Sequence, residues 1–295
     1  MSPWTSRETS SGCLVNDRVG CDCDMANVSR LVTALQHVSR TPEVLRATRV
    51  IENWWPIASA YVGVSKLPFP ITAHCRDGAA FELQEFYDVE TLWQIYVREV
   101  YGVSGDLRVV LDAGANIGLF ACYAAKRNAQ CIVHAVEPFP GTVRRLQETV
   151  RRNGLTERVR VHPVALSGKS GSARMSAAVE ASQMVHLLPE TERGAPDVTV
   201  VTTLTLSELI SQIGAERIDL LKMDIEGSEY EVLSATPPAV LSRVRAIALE
   251  YHKPGAAAPM DKRELTRYLT RDAGFDLRED PEDPAEYGML HFTRR

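Results

Sequence analysis

The chain has 295 residues, of which 45% are hydrophobic and 24% charged, and its formal net charge is −5 at pH 7. This length is enough for one sizeable core with an accessory segment. A mildly acidic chain does not favour contact with a phosphate backbone, so no nucleic-acid partner is expected. No run of about 18 apolar residues and no apolar signal segment appears, which predicts a cytoplasmic protein without a membrane partner.

The N-terminal part of the chain is predicted to be an accessory region. Residues 1–24 are polar and lack periodicity, which predicts disorder. Apolar residues then recur at helical spacing over 28–38, and a second helical run follows Pro42 until Trp54-Trp55-Pro56 ends or kinks it. We expect these helices either to cap an active site or to form the interface of a homodimer.

The rest of the accessory region, which we predict to span 25–105, contains a hairpin and a helix. Asp77-Gly78 separates two short strands, as in a hairpin turn. A helix is predicted over 90–101, with Asp88 as its cap.

Residues 106–295 alternate between strands and helices, which predicts one α/β domain with a mostly parallel sheet and helices on both faces. The last two strands are predicted to form an antiparallel edge hairpin. Residues 168–196 are predicted to be irregular, and they contain His186. They form either a lid over the acceptor or an insertion without a role. The predicted strands are 107–112, 132–137, 159–165, 218–224, 244–251, 275–278 and 287–293, and the helices are 119–127, 142–153, 206–213, 229–234 and 262–273.

Residues that could bind a ligand or take part in catalysis lie at the predicted strand ends. In an open α/β sheet, ligands bind outside the carboxyl ends of the strands. The residues at or near such ends are Asp112, Glu137, Ala165, Asp224 and Glu250. This convergence predicts a binding cleft at that edge of the sheet.

The loop after the first of these strands reads Gly114-Ala115-Asn116-Ile117-Gly118. A dinucleotide-binding loop would carry a middle glycine, and its absence here disfavours a nicotinamide dehydrogenase. Asp112 precedes the loop, and a carboxylate suits a cationic ligand better than a pyrophosphate. S-adenosylmethionine carries a sulfonium and an ammonium group and no phosphate, so it is the expected ligand.

Glu137 and Pro138 end the second strand of the domain, 25 positions after Asp112. An acidic residue there can accept hydrogen bonds from both ribose hydroxyls. Taken alone, the Asp112 segment could be a simple turn and Glu137 a helix cap. Their spacing on successive strand ends favours a cofactor site.

Five segments resemble the FkbM-type methyltransferases, a branch of the class I S-adenosylmethionine enzymes. They are Val110 to Gly118 (VLDAGANIG), Val136 to Pro138 (VEP), Val164 to Ser167 (VALS), Leu220 to Glu229 (LLKMDIEGSE) and Leu249 to His252 (LEYH). The resemblance implies a Rossmann-like class I fold with a seven-stranded sheet, preceded here by an N-terminal helical extension. It also implies methyl transfer to oxygen, often on a sugar or natural-product hydroxyl. Thr205 stands where the family usually has Asp, which weakens any role inferred for a carboxylate there.

The expected cofactor-binding residues are Asp112, Gly114, Ala115, Asn116, Gly118, Glu137, Pro138, Ala165 and Asp224. An alcohol acceptor needs a general base or a metal to remove or acidify its proton. The candidates for that chemistry are Asp224, Glu226, Glu250 and His252. They form either a hydrogen-bonded network around a base or, through Asp224, Glu226 and Glu250, a site for a divalent cation such as Mg²⁺.

The expected function is O-methylation of a small molecule that contains a sugar or is polyketide-like. Two alternatives stay open at this stage. One is an N-methyltransferase, because amine acceptors often need less base catalysis. The other is a non-catalytic module that binds S-adenosylmethionine without turnover.

Overall fold

The computed structural model describes residues 41–103, 105–177, 185–188, 198–255, 258–279 and 287–294. The chain divides into two compact units, Met1–Pro42 and Glu43–Arg295, and all described residues from Glu43 onward belong to the second unit. The predicted disorder of residues 1–24 and the predicted helix over 28–38 lie outside the described residues. The domain boundaries that we place at residues 24 and 105 stay predictions.

The accessory elements precede the main sheet. They are α1 (Thr41–Val50), α2 (Trp54–Tyr61), β1 (Ile71–His74), β2 (Ala80–Leu83) and α3 (Phe86–Leu92), which continues as a π-helical segment, Trp93–Arg98. The predicted hairpin is confirmed, because β1 and β2 pair antiparallel. The tryptophan pair at 54–55 does not extend the first helix but begins the second one. Tyr61 stacks on Trp93 at 4.2 Å, so this aromatic ring packs the accessory region internally.

The main domain comes next in chain order. Its elements are β3 (Val109–Ala113), α4 (Leu119–Arg127), β4 (Ile132–Val136), α5 (Pro140–Arg152), β5 (Val159–His162), β6 (Ala165–Leu166), β7 (Gly171–Ala177), β8 (Val185–Leu188), β9 (Val198–Leu204), α6 (Leu206–Ile213), β10 (Leu220–Met223), α7 (Glu229–Ser234), α8 (Pro238–Leu241), β11 (Ala246–Tyr251), α9 (Lys262–Arg267) with a π-helical continuation (Tyr268–Asp272), β12 (Phe275–Glu279) and β13 (Gly288–Arg294). Among the helices that the structure describes, none is long and apolar enough to cross a membrane.

Seven strands form the main sheet in the order β12-β13-β11-β10-β3-β4-β5. The pairs of β3, β4, β5, β10 and β11 are parallel, whereas β13 runs antiparallel to both β11 and β12. The predicted class I fold and its antiparallel edge hairpin are therefore confirmed.

Helices cover both faces of this sheet because successive strand residues point to opposite sides. Val110 of β3 packs with α4 and α5 in one apolar core. Its neighbour Leu111 packs with α6 and α7 in the other. Because both faces are covered, the central strands are largely apolar, and all four residues of β10 are buried.

The chain order places the cleft. From β3 the sheet grows through β4 to β5, and β10 then returns to lie on the other side of β3. This reversal is a topological switch point, and ligands bind there, outside the carboxyl ends of the strands.

Two local predictions are wrong. The helix predicted over 90–101 spans 86–98, and Asp88 lies in its first turn rather than capping it. The Asp88 carboxylate accepts the main-chain N–H of Gln84 at 2.7 Å and is paired with Arg145 at 2.5 Å. Asp88 therefore ties α3 to α5.

The region after β5 forms a second sheet, in the order β6-β9-β7-β8. The strand predicted over 159–165 ends at His162, and Ala165 begins β6, which pairs with β9. The segment predicted to be irregular contains β7 and β8, and β9 is not predicted at all. His186 lies in β8, and its side chain is outside the described part of the molecule, so the lid hypothesis stays a prediction.

Candidate active site

A cleft opens at the carboxyl ends of β3, β4, β10 and β11. Its lining includes Gly114, Asn116 and Glu137 on one side and Asp224, Glu226 and Glu250 on the other. The π-helical segment contributes Gln94 and Ile95, and β7 contributes Met175. The accessory region and the second sheet therefore complete the walls of a cleft that the main sheet positions.

The loop after β3 approaches the loop after β10 very closely. Gly114 has φ +77°, and a Cβ there would lie 1.7 Å from the carbonyl oxygen of Asp224. Only glycine fits this contact. Gly118 also has positive φ and precedes α4.

Glu137 presents a carboxylate to the cleft from the end of β4. Its Oε2 accepts the N–H of Asn116 at 3.1 Å, and its Oε1 accepts the N–H of Phe139 at 2.9 Å. Burial raises the pKa of Glu137 to about 7 despite these two hydrogen bonds. Each carboxylate oxygen can accept a further hydrogen bond, so the pair matches a vicinal diol.

The residues present fit S-adenosylmethionine. Asn116 also lines the cleft, and its Oδ1 is buried without a hydrogen-bond partner among the described residues. A buried polar atom without a partner is costly, and a ligand can supply the missing donor. Pro138 and Ala165 lie along the same wall. The ribose would bind at Glu137, with Asn116 offering a further acceptor.

A buried lysine joins the two loops. Lys222, on β10, donates to the carbonyl oxygen of Gly114 at 2.7 Å and lies 3.4 Å from Asp112 Oδ1 and 3.6 Å from Asp224 Oδ2. Burial lowers the pKa of Lys222, but Asp112, Asp224 and Glu250 outweigh burial and raise it above its usual value. The ammonium group therefore stays charged and balances the carboxylates.

Asp112 itself lies beneath the loop. Its side chain is fully buried, and it is not among the residues that line the cleft, nor is Gly118. Its charge faces Lys222 within the protein, so Asp112 supports the loop from beneath.

Tyr101 links the ends of β10 and β11. Its hydroxyl donates to Glu250 Oε2 at 2.9 Å and lies 3.3 Å from Asp224 Oδ2. Burial, with the charge of Asp224 adding to it, raises the pKa of Glu250 to about 7. The sequence patterns assign no role to Tyr101 or Lys222. A lysine inside the apolar run of β10 is the local signal for the latter, whereas Tyr101 has none.

His252 follows β11 and lies among three carboxylates. Its Nε2 is 3.4 Å from Glu226 Oε2 and 4.0 Å from Asp224 Oδ1, while its Nδ1 is 3.0 Å from Glu229 Oε1. Burial lowers the pKa of His252, but its hydrogen bond to Glu229 and the nearby carboxylates raise it to about 9. Burial and the charge of Asp224 raise the pKa of Glu226 to about 7.

The four predicted catalytic side chains thus lie near one another, together with Glu229, for which the sequence indicates only a favourable helix-dipole contact. The group in the described residues that could hold a metal ion is Asp224, Glu229 and His252, whose ligand atoms lie within 4.8 Å of one another. This set differs from the predicted one of Asp224, Glu226 and Glu250.

Comparisons with known proteins identify the family. Residues 112–277 match the family described as Methyltransferase FkbM domain. AMB antimetabolite synthetase AmbE of Pseudomonas aeruginosa is 30% identical over 62% of this chain, which spans only 10% of that protein's length. Methyltransferase sdnD of Sordaria araneosa is 26% identical over 88% of this chain and 99% of its own length.

A third relative is 31-O-demethyl-FK506 methyltransferase FkbM of Streptomyces tacrolimicus. It is 31% identical over 49% of this chain and 65% of its own length. The family match covers more than half of the chain and includes the glycine loop, Glu137 and the cluster around Asp224. The chain belongs to the FkbM family of S-adenosylmethionine-dependent methyltransferases.

Proposed function

We propose that the protein transfers a methyl group from S-adenosylmethionine to a hydroxyl of a small molecule that contains a sugar or is polyketide-like. The observation that carries the proposal is that a single cleft is lined both by the glycine loop with Glu137 and by Asp224, Glu226 and Glu250. The first set is suited to binding the methyl donor, and the second is suited to accepting a proton from the methyl acceptor. The name of the 31-O-demethyl-FK506 methyltransferase supports transfer to oxygen.

On the donor side, Glu137 accepts hydrogen bonds from the ribose hydroxyls, and the loop at Gly114 to Asn116 lies against the rest of the cofactor. When bound, S-adenosylmethionine supplies an electrophilic methyl group on a sulfonium. Much of the catalysis is then positioning of the acceptor oxygen in line with that methyl group.

On the acceptor side, a hydroxyl must lose its proton as its oxygen is methylated, and a side chain with a pKa near the working pH accepts a proton most effectively. Glu226 and Glu250 both meet this condition, each with a pKa of about 7, but Glu250 is bonded to the buried Tyr101, whereas the Glu226 side chain is 32% exposed to the cleft. His252 and Tyr101 hold the carboxylates from opposite sides, and Asp224 and Glu250 orient the hydroxyl. Glu226 is thus the residue that accepts the proton.

Carboxylates and an imidazole are also suitable ligands for a divalent cation, and Asp224, Glu229 and His252 would hold it. The proposal does not need one, because Glu226 can accept the proton of the acceptor without a metal. Treatment with EDTA is expected to leave turnover unchanged. Loss of turnover that Mg²⁺ restores would instead establish a metal requirement.

The test uses S-adenosylmethionine with a ¹³C-labelled methyl group and a panel of hydroxylated glycosides and macrolactones. Carbon NMR of the product distinguishes an O-methyl from an N-methyl group. We expect an O-methyl product, at least about 100-fold slower formation by Glu226→Gln, and the wild-type rate for Glu148→Gln, an exposed carboxylate on α5.

Two outcomes would contradict the proposal. An N-methyl product whose formation does not depend on Glu226 indicates an N-methyltransferase. Donor binding with no transfer to any acceptor, hydroxyl or amine, indicates a binding module without turnover.

A further inference from the structure

The first two residues of α7 hold His252. The Glu229 carboxylate is fully buried, and its Oε1 lies 3.0 Å from Nδ1 of the imidazole. The hydroxyl of Tyr230 donates to the main-chain carbonyl of His252 at 2.8 Å. Ring and backbone are therefore fixed at a point where the chain has just left β11.

The hydrogen bonds of Glu229 require a proton on Nδ1 of the ring. Its Oε1 also accepts the main-chain N–H of Ile225 at 3.0 Å. An amide N–H can only donate and a carboxylate oxygen can only accept, so the imidazole nitrogen bonded to the same oxygen is the N–H partner. The Nδ1 atom is therefore protonated.

This arrangement leaves Nε2 for the acceptor side of the cleft. Nε2 lies 3.4 Å from Glu226 and 4.0 Å from Asp224, the two cleft carboxylates that come after β10. A buried carboxylate that accepts one imidazole N–H fixes the orientation of the ring, and so aims the other nitrogen.

We propose that Glu229 is a positioning residue: it holds the Nδ1–H of His252 and turns Nε2 toward the carboxylates that handle the acceptor proton. The effect of Glu229 on turnover rests on the proposed methyl transfer, whereas the state of the ring does not. Because Glu229 also bonds Ile225, it holds the loop that carries Glu226, which has φ +53°.

The test reads the imidazole directly. Proton NMR of the full chain should show a downfield Nδ1–H signal that is protected from solvent exchange and is absent from His252→Gln. Glu229→Leu removes both the charge and the acceptor, so we expect it to lose this signal. We also expect turnover of the hydroxyl acceptor to fall about 10- to 100-fold, with unchanged affinity for S-adenosylhomocysteine.

A second variant covers the case in which Glu229→Leu fails to fold. Glu229→Gln keeps an acceptor oxygen, which the Ile225 N–H holds in place, so it should retain the Nδ1–H signal and lose less turnover. Glu208→Gln is the control, because it removes a carboxylate from the capping box that starts α6 and should change neither readout.

Three results would overturn the inference. They are a wild-type protein without the protected signal, a folded Glu229→Leu that keeps it or turns over at the wild-type rate, and a folded Glu229→Gln that loses it. The signal is measured without an acceptor, so its failure is distinguishable from failure of methyl transfer.

Discussion

Substitution of Glu137 should weaken donor binding by an amount that can be worked out from its hydrogen bonds. The carboxylate holds the N–H groups of Asn116 and Phe139 and has capacity left for two ribose hydroxyls. A hydrogen bond to a charged group contributes about 1.5–3 kcal/mol. Loss of two such bonds in Glu137→Ala therefore costs about 3–6 kcal/mol, which is a loss of affinity of at least about 100-fold.

Glu137→Gln should have a smaller effect. Its amide keeps one oxygen, but its NH₂ group would face a main-chain N–H, so one good acceptor remains and affinity should fall about 10- to 100-fold. The assay is calorimetric titration with S-adenosylhomocysteine, for which the wild-type protein should show a Kd in the micromolar range or tighter, about −8 kcal/mol.

The control is Glu148→Gln, which removes an exposed carboxylate on α5 that pairs only with arginines of the same helix among the described residues. It should bind like the wild type. Folded Glu137→Ala with wild-type affinity would refute the assignment of the ribose to Glu137.

Three further predictions concern the donor side. Because burial raises the pKa of Glu137 to about 7, the free carboxyl is protonated below that pH, and a diol needs its charged form. Calorimetry should thus show affinity for S-adenosylhomocysteine falling as pH drops below about 7 and level above it; a flat profile across pH 7 would contradict this. Lys222→Met leaves the buried Asp112 carboxylate without its cation, so urea denaturation should show a loss of about 3–5 kcal/mol in the free energy of unfolding. A loss under about 1 kcal/mol would argue against a stabilising Lys222–Asp112 ion pair. Gly114→Ala drives a Cβ into the Asp224 carbonyl, so it should abolish donor binding in calorimetry or lower Tm. A variant that matches the wild type in both measurements would show that the two loops can move apart to accommodate the Cβ.

The main sheet could be predicted because its strands are apolar runs that end in turn residues. Both faces of β3 and β10 are buried, so these strands need mostly apolar residues, and the polar residues at their ends stand out. The position of Glu137 relative to Asp112 reflects two successive βα units. Local pattern therefore sufficed to bring the glycine loop and Glu137 to one cleft.

The second sheet could not be predicted in the same way. β7 reads GSARMSA, in which small apolar residues alternate with polar ones, but glycine and alanine are weak strand formers and Met175 is its one large apolar residue. It exists because it pairs with β9 over six residues from Gly171 to Ser176, an interaction distant in sequence. Tertiary pairing here overrides weak local propensity.

The cluster around Asp224 could be predicted only as a set of side chains. The spacing of Asp224 and Glu226, and of Glu250 and His252, indicates that they share one end of the sheet. It could not show that Tyr101 bridges Asp224 and Glu250 or that Glu229 holds His252. Tyr101 and Glu250 lie 149 positions apart, and Glu229 and His252 lie 23 positions apart. No local pattern therefore encodes these contacts.

A crystal structure of the protein with S-adenosylhomocysteine would test most directly whether donor and acceptor share a single cleft. We predict that both ribose hydroxyls lie within about 2.5–3.2 Å of the Glu137 carboxylate. We also predict that the sulfur atom of the ligand faces the space between Asp224 and Glu226. A ribose bound away from Glu137, or a sulfur facing a wall that lacks these carboxylates, would contradict a single cleft for donor and acceptor.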